Sequence, residues 1–125
     1  MKIANILSII LGSILMLLAL QWIFVPSMAA DTLNMPYLEG SGRNTQIRDF
    51  TAFFLGTSMM CFLSFFTKKY EFISSCGLIF IVAAFFNIFA SVNHDATFEA
   101  SSFVSEIIFT SMAFISAYLY KSNQL

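Results

Sequence analysis

A carboxylate stands inside an otherwise apolar stretch near the end of the chain, where Glu106 interrupts the run SSFVSEIIFTSMAF. An ionisable side chain in an apolar helix is costly, so it usually faces a bundle interior or a wet cavity and pairs with another polar group. The side chains of Asn87, Ser91 and His94 are spaced i, i+4 and i+7, which places them on one helical face. Arg48 offers Glu106 a partner, because a guanidinium presents two parallel donors to a carboxylate. The pattern predicts an outward-facing polar pocket in which these five residues bind a ligand.

Two structural interpretations compete with a ligand site. Polar contacts between membrane helices are common and contribute only about 0.6 kcal/mol on average, so the same groups could simply join helices. Glu106 could also lie in the lipid headgroup zone without a partner.

His94 is the only histidine, and the neighbouring Asp95 could orient it as a proton carrier near neutral pH.

The sequence gives little support to metal or haem chemistry. A single histidine excludes bis-histidine haem ligation, and two cysteines far from it do not complete a usual zinc or iron ligand set. Cys61 and Cys76 fall at similar depths in neighbouring apolar segments, where a reducing cytoplasmic side favours inert packing thiols. We therefore predict no metal and no motif-bound cofactor. The absence of a nucleophile paired with a base favours a protein that is not an enzyme.

The scaffold that positions these side chains is predicted to lie in lipid. Of the 125 residues, 58% are hydrophobic and 10% are charged, whereas a soluble domain carries roughly 25% charged residues. A spanning helix needs about 17 to 25 mostly apolar residues, and its backbone must be satisfied internally. We predict an all-α integral membrane four-helix bundle, a single domain over residues 1–125, with spans at about 5–26, 50–66, 72–92 and 103–120.

The first span could also be interpreted as a secretory signal, because SMAA at 27–30 imitates a cleavage site. Its apolar run is longer than the roughly 7 to 15 residues of a signal core. Trp22 near its far end fits an interfacial anchor of a spanning helix. We therefore predict that the first helix is retained.

The distribution of basic residues predicts the orientation. With four spans, Lys2, Lys68, Lys69 and Lys121 share one side, against Arg43 and Arg48 on the other. The Lys/Arg bias of short loops then places both termini in the cytoplasm. The connection at 27–49 becomes a long outer loop, and loops of this length are often functional, so we expect its residues 31–47 to roof the pocket.

Several features together resemble the DoxX-like group of small bacterial four-helix membrane proteins. They are the four short spans, the long first outer loop, IRDFTAFFLG at the start of the second span and VSEIIF in the fourth. The resemblance implies a bacterial inner membrane, a link to quinone-coupled oxidoreductase complexes, and positional equivalence for Arg48, Gly56 and Glu106. No redox motif in the chain supports a quinone. The small multidrug-resistance transporters differ, because their glutamate lies in the first helix, which here has no acidic residue.

These observations leave three functional classes open. We expect a non-enzymatic accessory or ligand-binding or lipid-binding subunit, with membrane lipid and a larger membrane complex or homo-oligomer as partners. A quinone-linked oxidoreductase component and an oligomeric proton-coupled transporter are the alternatives. A net charge of -1, with no basic cluster longer than Lys68–Lys69, argues against nucleic acid as a partner.

Overall fold

The computed structural model describes residues 1–124, all of whose regular structure is helical. The helices are α1 (Lys2–Phe24), α2 (Pro26–Thr32), α3 (Gly40–Thr67), α4 (Tyr70–Asn93) and α5 (Ala100–Gln124). All except α2 are long and apolar enough to cross a membrane. The predicted all-α four-helix bundle is therefore confirmed, with spans that begin earlier than the apolar runs suggested.

The four long helices pack in a closed ring. Helix α1 contacts α3 and α5, and α4 contacts the same two helices from the other side, while the short α2 folds back on α1. The chain termini and the α3–α4 turn lie at one end of the bundle, the terminal end. Residues 33–39 and 94–99 lie at the other, the connection end. That the terminal end faces the cytoplasm stays a prediction.

Helix α1 shows how an almost wholly apolar sequence separates into two faces. Its buried residues recur every three or four positions and include small side chains: Ala4, Ser8, Leu11, Gly12, Leu15, Ala19 and Trp22. Other positions of α1 expose large apolar side chains, such as Leu17 and Phe24. A helix that is hydrophobic all round fits a lipid environment, where the outward face meets acyl chains.

Helices α1 and α3 approach closely at Gly12. The Ser58 hydroxyl donates a hydrogen bond of 2.7 Å to the Gly12 carbonyl oxygen. A Cβ atom added at Gly12 would lie 3.2 Å from the Cβ of Cys61, closer than comfortable packing allows. Small residues at such crossings let helix backbones approach in membranes.

The predicted outer loop at 27–49 is largely helical, which corrects the sequence interpretation. Pro26 opens α2, as proline favours the first helical position, and α3 already begins at Gly40. Only residues 33–39 remain non-helical. The glycine-rich segment 40–44 indicated a loop because glycine disfavours helix interiors. Tertiary contacts override that preference here.

Gln46 is one source of those contacts. It is a buried polar residue near the start of α3. Its Oε1 accepts a hydrogen bond of 3.0 Å from the Leu38 amide, and its Nε2 donates one of 3.0 Å to the Pro36 carbonyl oxygen. A single amide thus holds the 33–39 connection against the first turns of α3.

The α3–α4 turn is as short as the sequence predicted. Lys68 adopts the left-handed conformation that ends α3, and Lys69 is extended before α4 begins. Ser64 closes the turn, since its hydroxyl donates to the Lys69 carbonyl oxygen at 2.6 Å and accepts from the Ile73 amide at 2.8 Å. The second contact satisfies an amide near the start of α4 that lacks a helical partner.

Candidate ligand-binding cavity

A cavity of about 640 Å³ lies between the four long helices in the half of the bundle nearest the connection end. All four long helices contribute to its wall, and the segment from Thr32 to Met35 covers part of it. Protein pockets that hold small molecules are typically of this size, about 300 to 1,000 Å³. Its wall has an aromatic side and a polar side.

The aromatic side is a connected group of phenylalanines from three helices. Phe53 contacts Phe54 and Phe80 edge to face, with ring centroids 5.2 and 5.3 Å apart, and Phe80 contacts Phe109 in the same way at 5.2 Å. All four rings line the cavity, together with Phe50. Edge-to-face pairs add modest stability beyond burial, so the aromatic side is a fixed surface.

Trp22 supports the aromatic side from behind. Its indole stacks on the Phe50 ring with centroids 4.9 Å apart and planes 9° apart. Only 1% of Trp22 is exposed, which differs from the interfacial anchor position that the sequence suggested. Helix α2 folds back on α1, and the nearby Ala29 and Ala30 are also buried, so the face of α1 that carries Trp22 is covered by protein.

The polar side belongs mainly to the first two turns of α5. Ser101, Ser102, Ser105 and Glu106 line the cavity, joined by Thr32 from the end of α2. Ser102, Glu106 and Phe109 are spaced i, i+4 and i+7, so they share one helical face. Because α5 starts at Ala100, Glu106 lies about 9 Å along the helix axis from its beginning. Glu106 therefore lies deeper in the helix than the predicted start of the fourth span, at residue 103, indicated.

Asn87 is the predicted site residue that the structure brings to Glu106. Its side chain lies near the Glu106 carboxyl group. The same amide also holds the backbone of Glu99, because Nδ2 donates to the Glu99 carbonyl oxygen at 2.9 Å and Oδ1 accepts from the Glu99 amide at 3.1 Å. A primary amide has two N–H donors, so it can serve both contacts.

Arg48 does not form the predicted pair with Glu106. Its guanidinium Nε contacts Asp49 Oδ1 at 3.1 Å, and its Nη1 contacts Asn44 Oδ1 at 3.2 Å. Residues two positions apart point to opposite sides of a helix, and both Gln46 and Phe50 face inward. Arg48 lies between them and is therefore directed away from the cavity.

Ser91 and His94 also lie outside the cavity wall. The Ser91 hydroxyl donates to the Ile88 carbonyl oxygen of its own helix at 3.0 Å. Helix α4 ends at Asn93, so His94 leaves the helical face that its spacing from Asn87 implied. Its exposed imidazole lies 5.6 Å from the ring of Phe89. Of the five predicted site residues, Asn87 and Glu106 come together and the other three do not join them.

A polar network at the terminal end was missed in the sequence. Ser116 donates to the Ala4 carbonyl oxygen at 2.9 Å, and the Ser8 and Ser116 hydroxyl oxygens are 2.9 Å apart. Tyr120 contacts Ser8 at 3.0 Å and donates to Asn5 Oδ1 at 2.8 Å. The sequence contained a signal for this network, because Ser116 and Tyr120 are spaced i, i+4 and therefore share one face of α5. That face contacts Ser8 of α1. These groups satisfy one another, so the network joins α1 to α5.

Comparison with known proteins finds no matching family model, no matching curated protein and no matching solved structure. The resemblance to the DoxX-like group, with the quinone that it implies, therefore stays a prediction. Within residues 1–124, no three His, Cys, Asp or Glu side chains are grouped so that they could hold a metal ion. The functional argument rests on the cavity.

Proposed function

We propose that this small helical membrane protein binds a single-chain amphipathic molecule in the cavity between its four long helices. The observation that carries the proposal is the division of the cavity wall into a phenylalanine side and a side formed by Glu106 and hydroxyl groups. Ligand sites are mostly apolar, with a few polar groups that orient the ligand. The wall has this composition.

The proposal includes no catalytic step. Ser105 is the hydroxyl next to Glu106 in the chain, but it donates to the Ser101 carbonyl oxygen at 3.1 Å. A nucleophile must instead be within hydrogen-bond reach of the base that activates it. Binding, either as an independent protein or as a subunit of a larger membrane complex, requires only the cavity itself.

The proposal includes the orientation of the protein in the membrane. The four lysines of the chain lie near the terminal end, at Lys2, Lys68, Lys69 and Lys121. Basic residues in short segments favour the cytoplasmic side. The cavity then lies in the half of the membrane away from the cytoplasm. The assignment of the protein to a bacterial cytoplasmic membrane rests on the DoxX-like resemblance alone.

The single tryptophan provides a direct test, since Trp22 stacks on Phe50, which lines the cavity. We would titrate the detergent-solubilised protein with a brominated long-chain alcohol, whose bromine quenches indole fluorescence on close approach. Quenching should saturate at a lower probe concentration in the wild type than in Ser102→Phe, which fills the polar side of the cavity.

Ser111→Phe is the matched control, because Ser111 is exposed on the same helix and does not line the cavity. It should behave like the wild type. Identical quenching curves for wild type and Ser102→Phe, with both proteins folded by circular dichroism, would contradict a ligand site in the cavity.

A further inference from the structure

We propose that the cavity selects hydrophobic amines, with the Glu106 carboxylate as the counter-charge for a ligand ammonium group. The inference rests on the proposed function and names its ligand class. It follows from the charges in the cavity wall, from the distribution of polar and apolar groups along it, and from its volume.

The cavity wall holds an acidic group without a basic one. Among the residues described in the wall, Glu106 is the one with an ionisable side chain. The structure places the neutral amide of Asn87 near it. Arg48, which could have neutralised it, contacts Asp49 and Asn44. An ionised carboxylate in a poorly solvated site is unfavourable without a cation, so an incoming ammonium group gains from the contact.

Polar and apolar groups are separated along the cavity in the way that an amphipathic amine requires. Ser101 and Ser102 lie beside Glu106 near the start of α5, at the connection end. Ile14 and Phe80 line the opposite part, close to the middle of α1 and α4. An ammonium group would lie at Glu106 with its alkyl chain directed toward the bundle centre.

Aromatic groups near the carboxylate add to the preference for a cation. Phe109 follows Glu106 by three residues, so the two side chains are neighbours on the helix surface, and both line the cavity. A cation near the face of an aromatic ring is attracted by the ring quadrupole. An alcohol of the same chain length gains neither this attraction nor the ionic contact.

The volume indicates a single-chain ligand. A cavity of about 640 Å³ is in the range that encloses drug-sized molecules. A two-chain phospholipid would extend far beyond it, so we assign the site to a free single-chain amine and not to an aminophospholipid headgroup.

The experiment compares three brominated probes of equal chain length, an amine, an alcohol and a carboxylic acid, by quenching of Trp22 in an uncharged detergent. In the wild type we expect the amine to bind about tenfold more tightly than the alcohol, since hydrogen bonds to charged groups are the stronger ones, and the acid to bind most weakly. In Glu106→Gln the ratio of amine to alcohol affinity should fall severalfold, because only the weaker attraction of the aromatic rings remains.

Two control variants distinguish the effect of the Glu106 charge from the effect of charges outside the cavity. Glu106→Asp keeps a carboxylate and should keep a clear preference for the amine. Asp95→Asn removes an exposed acidic group at the connection end that does not line the cavity, and its amine-to-alcohol ratio should equal that of the wild type. Thermal unfolding of each variant establishes that folded proteins are compared.

The outcomes distinguish the two proposals. If alcohol and amine bind equally well to the wild type, and both bind better than to Ser102→Phe, the cavity holds a ligand but the amine assignment is overturned. An amine preference that is undiminished in folded Glu106→Gln overturns it as well. If no probe distinguishes the wild type from Ser102→Phe, the proposed function itself fails.

Discussion

The side-chain amide of Asn87 forms two hydrogen bonds with the backbone of Glu99, one to its carbonyl oxygen at 2.9 Å and one from its amide nitrogen at 3.1 Å. Asn34 Nδ2 also donates to the Glu99 carboxylate at 3.0 Å. Glu99 is therefore held from α4 and from the 33–39 connection. It immediately precedes α5, so these contacts determine where α5 begins and how Glu106 is presented to the cavity.

Asn87→Ala should loosen the segment 94–99. Loss of both backbone hydrogen bonds should accelerate amide hydrogen exchange at Glu99 and its neighbours. It should also lower the free energy of unfolding by about 0.6 to 1.7 kcal/mol, which are the mean and the maximum measured for polar contacts between membrane helices. Asn93→Ala is the control, because Asn93 is exposed and bonds only the Phe89 carbonyl oxygen of its own helix. Unchanged exchange in Asn87→Ala would argue against this contact as the determinant of the α5 start.

Tyr120→Phe should weaken the attachment of α1 to α5. The Tyr120 hydroxyl is fully buried and bonded to Asn5 and Ser8, so its removal should lower the free energy of unfolding by about 0.6 to 1.7 kcal/mol. Tyr118→Phe removes the same hydroxyl from a side chain that is 69% exposed and should have little effect.

A double-mutant cycle with Ser8→Ala tests whether the two hydroxyls act together. Because Ser8 and Tyr120 are in direct contact, the combined loss should differ from the sum of the single losses. Strict additivity would show that the contact contributes nothing to stability.

Gly12→Leu should disrupt the α1–α3 crossing. The first added carbon would already lie 3.1 Å from the Phe62 ring and 3.2 Å from the Cys61 Cβ, and overpacking typically costs about 1 to 3 kcal/mol. Gly56→Leu is the matched substitution, since a Cβ there meets nothing within 4 Å. We expect thermal unfolding in mild detergent to show a clear decrease for Gly12→Leu alone. Equal decreases would show that the close approach at Gly12 does not explain the loss, since leucine favours the helix more than glycine does.

Cys61 and Cys76 should be convertible to an intramolecular disulfide by an apolar oxidant. Their Sγ atoms are 3.8 Å apart and both side chains are buried. Iodine would take two electrons from the two thiols, releasing two protons and two iodide ions as the S–S bond forms. Maleimide labelling after denaturation should then find no free thiol.

Cys76→Ser is the control for this reaction, since its remaining thiol lacks a partner within the chain. It should still be labelled at Cys61 after denaturation. If the oxidised wild type also keeps both thiols, then the two cysteines do not approach each other in the folded protein.

The site could be predicted only in part. Glu106 and Asn87 were identifiable because a carboxylate and an amide inside apolar runs need partners, and those two meet. Arg48 and His94 could not be placed, because their positions depend on where α3 begins and α4 ends. Both boundaries lie in polar segments where hydropathy gives no signal, and contacts such as those of Gln46 decide them.

The amino-acid sequence by itself determined that the chain forms four long apolar helices with a tight turn before α4, because lipid accepts only backbones that satisfy their own hydrogen bonds. The tertiary structure decided which faces of those helices meet. In lipid, the inward and outward faces are both apolar, so hydropathy does not distinguish them. Small residues, such as Gly12, and hydroxyl pairs, such as Ser8 with Ser116, set the helix contacts instead. The cavity beside Glu106 exists because those contacts close the ring of helices around it.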